Sequence, residues 1–354
     1  MSPVLRRLLT RILAVPITLL VITAVLYAFV MLTPAETRAT LYMPRNLSPR
    51  VTEEQIQKLL DQAIERYHLN DPYPVQYAYW ISNLVQGNWG YSATLQEDVL
   101  SAILRRTPAT AELTIYSILV FIPLGLVGGV IAAARQNRLA DHGFRFTAFI
   151  ATSLPPFILA LVLISIFYVN LRWFAPERVS TAMGFVVSSD EFRQYTGLLT
   201  IDGLLNRRPD VSLDALRHLA MPVFTLAIFH WATLGRVTRA IMIEEFKKEY
   251  TVAARARGIP EHKITWRHTL RNAISPALTS SLLSAAALLT GVFVVEIIFS
   301  FNGVSMVALR SMQFVPDAPA AMGFAIYSVL IVLILMGLLD LIQAILNPHA
   351  QETD

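Results

Sequence analysis

Glu249-Tyr-Thr-Val-Ala-Ala-Arg-Ala-Arg-Gly-Ile-Pro260 is polar and basic, yet it stands between two apolar runs, Ala220 to Leu234 and Ala277 to Phe299. It continues through Trp266-Arg-His-Thr-Leu-Arg-Asn-Ala-Ile-Ser-Pro276. Ala253, Ala254 and Ala256 are small enough for another surface to approach a helix backbone closely. Gly258 permits a sharp change of direction where that helix ends. Arg255 and Arg257 alternate with the alanines. Between two membrane helices, such a stretch reads as a surface for something in the cytoplasm to grip. On its own it also fits an ordinary solvated basic loop.

Composition places the chain in a membrane. Of 354 residues, 55% are hydrophobic and 15% charged, against about 25% charged in soluble domains. Mean hydropathy is +0.51. There are no cysteines, which excludes a disulfide framework, a thiol nucleophile and a Cys-ligated metal. The basic residues flank apolar runs and form no soluble basic face, so nucleic-acid binding is a poor reading.

Working outward, six spans are expected. Arg6, Arg7 and Arg11 precede an apolar run from Ile12 to Leu32. That is about the length a hydrocarbon core requires, whereas a signal peptide's apolar region is about 7–15 residues. The second span is read at Ala111 to Ala134, with Gly125-x-x-x-Gly129 suited to close helix packing. The third runs from Phe146 to Val169 and carries Pro155-Pro156, which predicts a kink. The fourth is Ala220 to Leu234, the fifth Ala277 to Phe299, the sixth Ala320 to Leu346.

Two long polar stretches interrupt the spans. In the first, Thr52-Glu-Glu-Gln55 has capping-box spacing, and Ile56, Leu59, Leu60, Ala63, Ile64 and Tyr67 follow at helical intervals. Val75 to Val85 reads as a second, aromatic-rich helix suited to the membrane interface, and Gly87-Asn-Trp-Gly-Tyr-Ser92 as a loop. In the second, from Asn170 to Leu219, six basic and six acidic residues balance, and Ser212 to Leu219 reads as a short helix leading into the membrane. The domain reading is a tail and first span at 1–33, an extracytoplasmic helical region at 34–110 and a membrane core at 111–346. That core holds an extracytoplasmic insertion at 170–219 and a cytoplasmic polar loop at 240–275, and a cytoplasmic tail follows at 347–354.

Charge sets the orientation. The amino-terminal stretch has three basic and no acidic residues, 135–145 has three and one, and 236–271 has nine and four. By contrast, 34–108 has seven basic and eight acidic. Both termini and the opening stretch are therefore expected in the cytoplasm. No phosphate loop of the Gly-x-x-x-x-Gly-Lys-Ser/Thr type occurs, so no ATP cradle is expected on this chain. His262 and His268 lack partners at metal-ligand spacing. His230, Glu296 and Asp340 are the ionisable groups inside spans. They are too isolated for a proton relay, and helix-end placement or a satisfied hydrogen bond accounts for each.

Several blocks together resemble the inner-membrane permease subunits of ATP-binding-cassette importers, and in particular the first-permease branch of the dipeptide/oligopeptide/nickel permease family. They are Glu249-Tyr-x-x-x-Ala-Arg-Ala-Arg-Gly258 with Arg267-His-x-Leu-Arg-Asn-Ala-x-x-Pro276, Val294-Val-Glu-Ile-Ile-Phe-Ser-Phe-x-Gly303, Leu69-Asn-Asp-Pro-x-x-Val-Gln-Tyr77, Gly87 to Ser92, and Arg106-Thr-Pro-Ala-Thr-x-Glu-Leu113. The chain departs from the family at several points. In the importers' Glu-Ala-Ala-x-x-x-Gly summary, Val252 occupies the Glu position. The stretch from 179 to 217 is longer than usual, and Asn347-Pro348-His349 stands where Asp-Pro-Arg is common.

The resemblance implies an all-α integral membrane protein with six transmembrane helices, the type I importer permease fold and extracytoplasmic helical insertions. It implies that Val252, Ala253, Ala254, Arg255, Ala256, Arg257, Gly258 and Ile259 form a coupling helix docking on an ATPase subunit. Glu249, Tyr250, His268, Arg271, Asn272 and Pro276 would support that loop. The expected partners are a second, homologous permease, two ATPase domains, an extracytoplasmic substrate-binding protein and the bilayer, with no nucleic acid. The chain would bind no cofactor or metal and have no catalytic residue, ATP and Mg residing on the ATPase subunits. Peptides are the expected cargo. Oligosaccharides, nickel chelates or other solutes are the alternative within the class, and a stand-alone ion-coupled transporter is the alternative outside it.

Overall fold

The computed structural model describes residues 3–43, 52–280, 282–313 and 317–346. The chain is helical almost throughout. In order, the helices are α1 (Pro3–Met31), α2 (Ala35–Ala39), α3 (Glu53–Arg66), α4 (Tyr73–Val85), α5 (Val99–Ala134), α6 (Leu139–Ser153), α7 (Pro156–Leu163), α8 (Thr181–Val187) and α9 (Leu199–Leu205). There follow α10 (Pro209–Glu245), α11 (Glu249–Ala256), α12 (Glu261–Lys263), α13 (Leu270–Ser280), α14 (Leu282–Ile298), α15 (Ser305–Ser311) and α16 (Ala318–Leu346). The one sheet among the described residues pairs β1 (Tyr91–Ser92) antiparallel with β2 (Glu97–Asp98). It turns part of the expected 87–92 loop into a hairpin. The chain divides into two compact units, Met1–Thr107 with Val304–Leu333, and Pro108–Gly303 with Ile334–Asp354.

In the first unit the capping box forms as expected. Thr52 Oγ1 accepts from the Gln55 amide, and Gln55 Oε1 accepts from the Thr52 amide. α4 lies along α1, where the Tyr73 hydroxyl donates to the Ala24 carbonyl at 2.6 Å and the Tyr77 hydroxyl to the Leu20 carbonyl at 3.0 Å. Arg38 is buried and, among the described residues, pairs with no carboxylate. Its guanidinium donates to the Thr33 and Leu69 carbonyls and to Gln76 Oε1, so every charge-bearing nitrogen is satisfied by a neutral acceptor. Asp317, also buried, caps α16 and accepts from Ser92 Oγ, Thr94 Oγ1 and the Thr94 amide. Gly90, at φ +86, brings the hairpin up to Pro319.

The second unit is built on α10. α5 packs against it through small residues: a Cβ added at Gly129 would lie 2.5 Å from the Gly235 carbonyl oxygen. The Gly125-x-x-x-Gly129 spacing thus serves packing within the chain. Phe144 of α6 covers Gly235 and meets Trp231 edge to face. Arg239 closes the same junction by a bidentate ion pair to the buried Asp141, at 2.5 and 2.7 Å. On α5, Glu112 is fully buried and fully satisfied. It accepts from Arg178 Nε and Nη2 and from the Thr200 amide and hydroxyl, at 2.6–3.0 Å. One carboxylate thereby fastens two parts of the 170–208 segment to α5. Leu119, Phe146, Phe149 and Leu161 are more than half exposed. An apolar outer face of this kind belongs in lipid.

Several spans differ from expectation. α5 begins at Val99, twelve residues before the apolar run, and α10 extends from Pro209 to Glu245, well beyond Ala220 to Leu234. The short helix read at Ser212 to Leu219 is the continuous start of α10. The expected kink at Pro155-Pro156 is a break. Leu154 and Pro155 are extended, and the two halves of the pair stand at 96°. Two adjacent prolines remove two backbone donors, so the helix has to restart. α7 then loosens into a π-helical stretch, Ile164–Asn170. Among the described residues, α5 and α10 are each long and apolar enough to cross a membrane, and the α6–α7 pair qualifies as a broken span. Pro16–Met31, Ala287–Ile298 and Ala318–Ile334 are shorter apolar helices. His230 is buried between Phe121 and Phe229, and Glu296 beneath Gly303. The Asp340 side chain and 347–354 lie outside the described residues.

Candidate coupling surface

The polar insert folds as a short helix packed against the π-helical stretch Ile264–Thr269, and a separate apolar cluster joins the ends of the flanking helices. Val130 and Ala133 of α5, Met242 of α10 and Ala273 of α13 are buried together, with Ile241, Ile243, Phe246 and Leu270 around them. Beyond Glu245 the helix path breaks, and the chain restarts as α11. The restart is fastened locally. Thr251 Oγ1 donates to the Phe246 and Lys248 carbonyls. The buried Glu245 carboxylate accepts from Lys248 Nζ at 2.5 Å and from the Tyr250 hydroxyl at 2.7 Å. The bond to Glu245 holds the Lys248 ammonium above the usual lysine range. Burial, and then donation to Glu245, push the Tyr250 phenol up, while Asn272 and Thr269 act in the opposite direction.

α11 turns Thr251 and Ala254 inward and leaves Val252, Ala253, Arg255 and Ala256 exposed. It ends in a Schellman motif: the Gly258 amide donates to the Arg255 carbonyl and the Ile259 amide to the Ala254 carbonyl. Gly258 sits at φ +74, a left-handed conformation that glycine adopts without penalty. Arg257 and Gly258 are exposed and Ile259 is half-buried. The outward face is thus small, slightly apolar and cationic.

The two arginines differ. Arg255 is engaged within the chain, its Nε 2.7 Å from Glu261 Oε1. Arg257 forms no ion pair among the described residues, so it is the cation left for another surface. Glu249 is exposed in the first turn of α11, where a carboxylate complements the helix dipole. Tyr250 and Asn272 meet; His268 is half-buried, while Arg271 and Pro276 are exposed away from that bond. Glu245, Thr251 and Glu261 went unread in the sequence. The signal for Glu245 is its three-residue spacing to Lys248; Tyr250, five residues on and past the helix break, carries none. No group of three metal-ligating side chains occurs among the described residues.

Residues 125–352 match the family described as binding-protein-dependent transport system inner membrane component, and the chain belongs to that family. It is 31% identical to the di/tripeptide transport system permease protein DppB of Pseudomonas aeruginosa, over 93% of each chain. It is 32% identical to the oligopeptide transport system permease protein AppB of Bacillus subtilis, over 82% of this chain and 84% of that one. With the dipeptide transport system permease protein DppB of Bacillus subtilis it shares 30% identity over 97% of each. It is therefore an ABC-importer permease, a membrane component akin to the dipeptide and oligopeptide permeases.

Proposed function

We propose that this chain is a permease subunit of a peptide importer, forms half of the translocation path, and receives ATPase-driven motion through residues 252–259. The observation that carries the reading is α11 itself. Its inner face is pinned by Thr251, Ala254 and the Glu245 bonds, while its outer face carries Val252, the small Ala253 and Ala256, Arg255 paired to Glu261, and an Arg257 with no ion pair among the described residues. A push on that face passes into α10, whose junction with α5 and α6 is locked by Gly129, Phe144 and the Asp141–Arg239 pair. In this reading the chain has six spans, both termini are cytoplasmic, and ATP and Mg belong to two ATPase subunits. A homologous permease supplies the other half of the path and a binding protein delivers cargo from outside. Peptide cargo is supported by the relatives, which are named for di/tripeptide, oligopeptide and dipeptide transport systems.

The coupling role is tested in the assembled transporter in liposomes. Ala256→Trp places a bulky ring on the exposed face, with the fold of α11 untouched. It is expected to reduce ATP-driven peptide uptake at least about tenfold, through lost assembly or lost coupling of hydrolysis to transport. Gly258→Ala strains the left-handed C-cap by about 1–2 kcal/mol and is expected to give a milder defect. Wild-type uptake in both variants refutes the assigned surface. Uptake by the chain alone on an ion gradient refutes the importer reading.

A further inference from the structure

At the far end of α10 lies a second feature, unconnected with α11. α7 and its π-helical continuation end at Asn170, and the chain turns through Arg172 at φ 54, a conformation uncommon outside glycine. A cleft of about 530 Å³ opens there, lined by Tyr168, Arg172, Trp173, Asp214, Arg217 and His218 among others. Arg217 donates to the Trp173 carbonyl from Nε and Nη2, at 2.9 and 2.5 Å, which fixes one wall. Asp214 Oδ2 accepts from the Ser180 amide at 2.7 Å, and His218 Nδ1 bonds the Asp214 carbonyl at 2.8 Å. Arg172 is exposed and makes no hydrogen bond or ion pair among the described residues.

Position decides what such a cleft can hold. Arg217 lies in the third turn of α10, and α11 begins just past the last residue of the same helix. At about 1.5 Å per residue, the helix rise between them is about 42 Å. A bilayer with its headgroup layers is about 40–45 Å thick. With α10 along the membrane normal, that rise puts the cleft at headgroup level in the leaflet opposite α11. The surface beside it agrees: Ile166, Val169, Leu171 and Trp173 are exposed, and Trp and Tyr favour the membrane–water boundary. A guanidinium pairs a phosphate in a fork. A soluble anion would use the arginines but leave the apolar face of α7 unused.

We propose that this cleft holds the headgroup of a membrane glycerophospholipid, its phosphate on Arg172 and Arg217 and its terminal donor on Asp214, with its acyl chains along α7. The assignment requires neither peptide cargo nor a role for α11. The test titrates phosphatidylethanolamine into the purified full-length chain in mild detergent and counts bound copies by native mass spectrometry. Wild type binds one copy with a Kd at least about tenfold below that of Arg172→Gln, the loss of one charge-assisted contact. Arg193→Gln, exposed in the same segment but outside the cleft, matches wild type. Arg172 is exposed and has no hydrogen bond or ion pair to lose among the described residues, so the variant is expected to remain monodisperse. Equal binding by wild type and Arg172→Gln overturns the site. Competition by soluble glycerophosphoethanolamine at the lipid's own concentration overturns it too, since a small anion would then suffice.

Discussion

Tyr42 shows how a single residue reports on the first unit. Its ring stacks on Tyr67, with centroids 4.0 Å apart. Burial, and then the field of the Asp317 carboxylate, push its phenol up to about 12, with Arg38 acting in the opposite direction. The folded chain holds this proton more tightly than the unfolded chain, whose tyrosines titrate near 10.0. Tyr42 therefore contributes stability that is fully present below pH 10 and is lost as pH rises through 12. In tyrosinate absorbance, the difference between wild type and Tyr42→Phe is expected to titrate near pH 12. A difference titrating near pH 10 would show that the ring is not buried as described. At this scale the sequence is legible only where partners are close. Thr52 and Gln55 announce their capping box, whereas nothing links Arg38 to Leu69 and Gln76 before the chain folds.

Helices were legible by their interiors more than by their ends. Hydropathy located the apolar middle of α5 and α10 but not their first turns, since residues 99–110 and 209–219 mix polar with apolar side chains and carry no continuous apolar run. Where an end has its own chemistry, as at Gly258 or Pro155, it could be read directly, although two prolines gave a break where a bend was expected. The α5–α10 junction rests on absent side chains. A Cβ at Gly129 would meet backbone oxygen at 2.5 Å, while one at Gly143 in α6 meets nothing within 4 Å. Gly129→Ala must part the helices, and overpacking of this kind costs about 1–3 kcal/mol. Gly143→Ala gains helix propensity, about 1 kcal/mol at most. In thermal unfolding of the detergent-solubilised chain, Gly129→Ala is expected to lower the midpoint by several degrees and Gly143→Ala to leave it unchanged or raised. Equal midpoints would remove the close-contact account of this junction.

For the whole molecule, composition and charge settled the membrane class before any motif. The remote pairings did not follow from them. Asp317 with Ser92 and Thr94, or Glu112 with Arg178 and Thr200, join residues whose spacing carries no periodic signal, and each satisfies a buried charge that pattern reading leaves open. Orientation is the property that charge alone predicts, and the absence of cysteine makes it measurable. Arg257→Cys and Arg193→Cys each place one thiol in a chain that has none, at exposed positions of one compact unit. The excess of Lys and Arg over 236–271 predicts a cytoplasmic 257. The charge balance of 170–219 and the bilayer-length rise of α10 predict 193 on the other side. A membrane-impermeant maleimide applied to intact spheroplasts should label Arg193→Cys and spare Arg257→Cys. Inside-out vesicles stripped of peripheral proteins should reverse the pattern. Labelling of Arg257→Cys in intact spheroplasts would put α11 outside the cell, out of reach of any ATPase, and the coupling assignment would fall with it.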